Sequence, residues 1–109
     1  MFIASPNQPR ALSVQNIGAT WVYLRWEPPL DVDFPISYYE VMVATGGVRQ
    51  NRSMLDNSTF INVTGLIPST IYNFSVVAVI EAGEVVARSE ESEHLKDIRT
   101  TAIIGMASI

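Results

Sequence analysis

Gly65-Leu66-Ile67-Pro68-Ser69-Thr70-Ile71-Tyr72-Asn73-Phe74-Ser75-Val76 joins a turn to a strongly alternating run of residues. A short turn segment runs from Leu66 to Thr70 and contains Pro68, whose fixed φ suits a turn. Beyond it the side chains alternate. Tyr72, Phe74, Val76 and Ala78 fall on one side, and Asn73, Ser75 and Val77 on the other. Successive side chains of a strand point to opposite faces, so this is a strand with an apolar side turned to a core.

A tyrosine entering a strand directly after a Leu-x-Pro turn looks like the tyrosine corner of Greek-key sandwiches. There the ring is buried and its hydroxyl bonds to upstream backbone. The remaining chain reads as further short strands. Leu12, Val14 and, after an irregularity, Ile17 form the first, and Gly18-Ala19 turns it. Thr20 to Glu27 is the second, with Val22, Leu24 and Trp26 inward and Trp21, Tyr23, Arg25 and Glu27 outward. Pro28-Pro29 ends it, because neither proline can donate to a ladder. Ile36 to Thr45 is the third, Tyr39, Val41 and Val43 inward and Tyr38, Glu40 and Met42 outward. Val48 to Leu55 reads as a polar edge strand after Gly46-Gly47, and Thr59 to Thr64 as the next, with Ile61 and Val63 inward. The corner strand runs from Ile71 to Ile80. Val85 to Thr100 holds the last strand, with the acidic break Glu90-Glu91-Ser92-Glu93 inside it. Helical periodicity is nowhere sustained. Seven short strands at regular spacing predict an all-β, antiparallel, seven-stranded Greek-key sandwich.

A chain of 109 residues suits one domain with one core. It has no cysteine, which excludes disulfides, a thiol nucleophile and a cysteine metal site. A net charge of −4 argues against nucleic acid or an anionic membrane as partner. The mildly positive mean hydropathy suggests apolar groups left on the outside. Pro9 is expected to open the domain, which spans 9–101. Residues 1–8 then form an N-terminal linker without signal-peptide character, and the chain reads as an internal piece of a longer protein. The apolar tail 102–109 has three readings: a linker, the first strand of a neighbour, or the start of a truncated span.

Pro9-x-x-Leu12-x-Val14, Val22-x-Leu24-x-Trp26-x-Pro28-Pro29, Ile36-x-x-Tyr39-x-Val41 and Gly65-Leu66-x-Pro68-x-Thr70-x-Tyr72-x-Phe74-x-Val76-x-Ala78 together resemble a fibronectin type III domain. Gly83 and the closing Arg99-Thr100 fit as well, while Lys96 stands where an apolar residue is common. The resemblance implies a three-strand sheet facing a four-strand sheet, with Trp26, Leu66 and Tyr72 central to the core. An immunoglobulin domain, the nearest rival, would usually carry a Cys-Trp-Cys pattern. By the same resemblance, the loops Pro28 to Pro35, Gly46 to Arg52 and Glu81 to Glu84 would form a contact surface at one end.

Four of the six asparagines, Asn51, Asn57, Asn62 and Asn73, head Asn-x-Ser/Thr sequons, although Ser and Thr supply only 17 of 109 residues. About one sequon would arise by chance at that composition, so the set points to N-glycosylation. The simpler reading is that outward strand positions favour such residues. An outward aromatic group, Trp21, Tyr23 and Phe60, is a candidate interaction patch. Against it stands cover by the N-terminal residues, by Arg25 or by a glycan on Asn62. Asp31, Asp33, Glu90, Glu91 and Glu93 read as solvated loop residues, since calcium needs six to eight converging oxygens. His94 lacks a second ligand and reads as a surface residue. No catalytic motif, cofactor site or metal site is expected.

These features point to a non-catalytic extracellular binding or spacer module, one repeat in a cell-surface receptor or adhesion protein. Its expected partners are other proteins or neighbouring domains, and it inserts in no membrane itself. The run Asn62-Val63-Thr64-Gly65-Leu66-Ile67-Pro68 is similar to domains in receptor-type protein tyrosine phosphatase ectodomains. Two other settings stay open: a secreted matrix or adhesion glycoprotein, and an accessory module of a bacterial carbohydrate-active enzyme.

Overall fold

A computed structural model describes residues 3–54 and 56–103. Leu55, expected to end the fourth strand, and the tail 104–109 lie outside the described residues. The strands are β1 (Arg10–Ile17), β2 (Val22–Glu27), β3 (Tyr38–Thr45), β4 (Val48–Ser53), β5 (Phe60–Val63), β6 (Ile71–Ala82), β7 (Val85–Arg88) and β8 (Leu95–Arg99). One sheet has the order β1-β2-β5. The other has the order β4-β3-β6-β7, with β8 also paired to β6. All pairings are antiparallel. The fold is therefore the expected sandwich, refined in one respect. The last strand is broken at the acidic stretch into β7 and β8, so seven strand positions hold eight strands.

Alternation sets the inner faces. Val22, Leu24 and Trp26 of β2, Tyr39, Val41 and Val43 of β3, and Tyr72, Phe74, Val76 and Ala78 of β6 are all buried in one core cluster. Trp26 meets Tyr39 edge-on, ring centroids 5.3 Å apart, the arrangement aromatic quadrupoles favour. Among the described residues the Trp26 indole N–H finds no hydrogen-bond acceptor. Leu66 completes the floor, and Ile3, ahead of β1, is buried in the same cluster. The irregularity expected in β1 is a register shift between Val14 and Asn16.

The corner closes as its residues suggest. The Tyr72 hydroxyl accepts a hydrogen bond from the Ile67 N–H at 2.8 Å. Thr100, itself buried, adds a second tie that sequence reading missed. Its hydroxyl donates to the Ile67 carbonyl at 2.6 Å and accepts from the Thr70 N–H at 3.0 Å. Thr101 N–H donates to the Gly18 carbonyl, and Leu66 N–H to the Thr20 carbonyl. The β1–β2 turn, the crossover 64–70 and residues 100–101 are thus knotted together.

The β8 register resolves the anomaly at Lys96. Tyr72 pairs with Ile98 but Phe74 with Leu95, one residue out of step. Asp97 takes φ +58° in the bulge, and its N–H donates to Asn73 Oδ1 at 2.9 Å. The extra residue brings Leu95 opposite Phe74 and leaves Lys96 exposed.

The three loops expected to share one end do not. The loops at 28–35 and 46–52 flank the same strand, β3, and so stand at opposite ends of the sandwich. Tyr38 pairs with Val79 beside the β6–β7 hairpin, whereas Thr45 pairs with Val48 at the other end. The end bearing 28–35 and 81–84 takes the β4–β5 connection as its third loop, and the Gly46-Gly47 hairpin joins the knotted end.

Candidate functional site

The sequons distribute over distinct places. Asn51 lies on β4, a free edge, opposite Met42 of β3. Asn57 is in the β4–β5 connection. Asn62 lies on β5, opposite Tyr23 of β2. All three are exposed, and among the described residues their carboxamides take no hydrogen-bond partner. They follow the side of the sandwich where the edges β4 and β5 run. Asn73 differs. It is half-buried on β6, its Oδ1 holds the β8 bulge, and the hydroxyl of its sequon partner Ser75 donates to Glu91.

The aromatic group divides. Tyr23 and Phe60 meet edge-on at 6.3 Å on the outer face of the three-stranded sheet, with Phe60 51% exposed. Trp21 precedes β2, and its ring lies over Gly18, where a Cβ would stand 2.1 Å from the indole nitrogen. Only a glycine admits the ring there, so Trp21 packs on its own turn and is half-buried.

The outer face of the larger sheet carries what alternation alone did not reveal. Glu40 points outward yet is only 3% exposed. Arg88 of β7 grips it with two bonds, Nε to Oε1 at 3.1 Å and Nη2 to Oε2 at 2.8 Å. That pairing holds the Arg88 guanidinium above its ordinary range. Val77 and Val79 of β6 are buried beside the pair without belonging to the core. Tyr38, whose phenol burial and then Glu81 push upward, flanks them. Further along, Glu91 receives the Ser75 hydroxyl, Arg49 Nη2 at 2.8 Å, and stands 3.2 Å from His94 Nε2. The Ser75 hydroxyl, followed by Arg49 and His94, holds its carboxyl below the usual carboxylate range. Glu91 is thus a tethering residue and not the solvated loop residue expected, whereas Asp31, Asp33, Glu90, Glu93 and His94 are exposed. Ser75 bonds Glu91 and not His94, so the trio lacks the serine-to-histidine contact of nucleophilic catalysis. Among the described residues no three metal-ligating side chains converge.

A family model described as "Fibronectin type III domain" matches residues 7–95. The chain belongs to the fibronectin type III family. Tyrosine-protein phosphatase Lar of Drosophila melanogaster is 29% identical over 79 residues, 69% of this chain, and the chain spans 4% of that protein's length. The FN1–FN3 domains of chicken CNTN1 superpose with a TM-score of 0.68 at 25% identity, covering 88% of this chain and 33% of theirs. The fibronectin type III domain of human fibronectin type III domain containing protein 3 superposes with a TM-score of 0.74 at 23% identity, covering 99% of this chain and 97% of that one. The last comparison bears on fold alone. A fibronectin type III sandwich is in general a non-catalytic fold, and it commonly occurs in tandem.

Proposed function

We propose that this fibronectin type III domain is an N-glycosylated, non-catalytic spacer and binding module in the extracellular array of a cell-surface receptor, of the receptor-type tyrosine phosphatase kind. One observation carries the reading. Asn51, Asn57 and Asn62, each heading a sequon, stand exposed with unengaged carboxamides along one side of the sandwich. An oligosaccharide there meets water and displaces no packing. The similarity to a tyrosine-protein phosphatase supports the parent. The opposite side, where the β1 and β7–β8 edges run, bears no sequon and is left for protein contacts. Asn73, engaged with the β8 bulge, is the site where sugar is least readily accommodated.

Mass spectrometry of the domain secreted from animal cells, before and after glycosidase treatment, tests this. We expect at least two glycans, removed stepwise by Asn51→Gln, Asn57→Gln and Asn62→Gln. A single unmodified species would refute the reading.

A further inference from the structure

The two ends of the sandwich differ in charge. Glu27, Asp31, Asp33, Asp56, Glu81 and Glu84 are exposed around the end that holds the β2–β3 loop and the β6–β7 hairpin, and outnumber the exposed Arg10 and Arg25 beside them. No salt bridge engages any of them among the described residues. The knotted end carries Arg52, Lys96 and Arg99 against Asp97, together with Arg49, which is paired with Glu91. A net charge of −4 therefore conceals a separation of sign along the long axis.

Shape follows charge. At the cationic end Val48 and Ile67, 64% and 60% exposed, wall a hollow of about 140 Å³ whose lining includes Tyr72 and Arg52. Arg52 is positioned there by its bond to the Thr64 carbonyl, 2.6 Å. At the acidic end Leu30 projects, 53% exposed, immediately before Asp31 and with Asp33 close behind. The Asn7 side chain donates to the Leu30 carbonyl at 2.8 Å and holds that loop in place.

We propose that copies of this domain dock head to tail, Leu30 of one seated between Val48 and Ile67 of the next. Asp31 and Asp33 then face Arg52, which lines that hollow. Apolar contact supplies the burial, and opposite charges set the orientation and disfavour head-to-head pairing. Two different surfaces meet, so the contact does not close on itself and leads to open chains of domains. A small, charged interface of this kind is weak and salt-sensitive.

Sedimentation of the 109-residue chain at rising concentration tests the proposal. The average mass should climb without a dimer plateau at low salt and fall back at high salt. Ile67→Glu blocks the hollow and Leu30→Arg blocks the knob. Each should lower association about tenfold or more while circular dichroism stays unchanged, because both residues are exposed. Mixed together, the two variants retain one intact knob and one intact hollow, and should form a one-to-one dimer that grows no further. A wild-type chain that stays monomeric throughout, variants that associate as wild type does, or a mixture that stays monomeric would each overturn it. So would a symmetric dimer abolished by Phe60→Ser.

Discussion

On the outside of the three-stranded sheet, Phe60 leans on Tyr23 and meets water. On the outside of the larger sheet, Glu40 is buried under Arg88, and Val77 and Val79 are covered beside it. Both faces arise from the same period of two, and both point away from the core. They differ because β7 and the acidic stretch lay long side chains back across the larger sheet, whereas among the described residues no such side chain covers Phe60 on β5. Direction is local, since each strand sets it within a few residues. Burial is not, because it depends on a partner that the chain delivers from elsewhere.

The covered face should be the more sensitive of the two. Arg88→Ala leaves the Glu40 carboxylate buried without its partner and should cost about 3 kcal/mol. Glu40→Gln leaves an arginine that still reaches water, and should cost about 1 kcal/mol. Urea denaturation midpoints measure both. Equal losses would mean that Glu40 is hydrated and that the two faces are alike.

Glu91 gives a smaller, pH-dependent effect. Its carboxyl is held below the usual range in the folded chain, so its share of stability is present at neutral pH. That share is lost as pH falls through the folded-state value. Glu91→Gln should cost up to about 1 kcal/mol at neutral pH, since the pair is partly exposed and screened. The gap between variant and wild type should narrow on acidification, and a gap independent of pH would contradict the assignment. The smallest effect belongs to the bare face. Phe60→Ala should cost less than about 1 kcal/mol, the scale of one exposed edge-on ring pair.

The inner faces, the corner hydroxyl bond and the break in the last strand were all legible, because each follows from residues close together in the chain. The Glu40–Arg88 grip was not, since its members lie 48 residues apart and Glu40 occupies a regular outward position. Trp21 was assigned to an aromatic patch on parity, but Gly18 three residues earlier has no side chain and makes room for the ring. The end-loop grouping failed on topology, since loops before and after one strand cannot share an end. Lys96 signalled the β8 bulge as an apolar position gone missing. What it did not reveal was that Asn73 fills the gap and so draws one sequon into the fold.

The knot at Thr100 bears on how the domain comes into being. The family match ends at Leu95, yet Thr100 and Thr101 tie the crossover and the β1–β2 turn. On a ribosome, where the chain emerges from its N-terminus onward, Tyr72 is synthesised long before the residues that finish its corner. The turn at Thr70 waits for a residue 30 positions later. Until Thr101 clears the exit tunnel, the strands on hand form a sandwich with one end open. Thr100 and Thr101 therefore act as a latch, and any boundary drawn for expressing this unit belongs after Thr101.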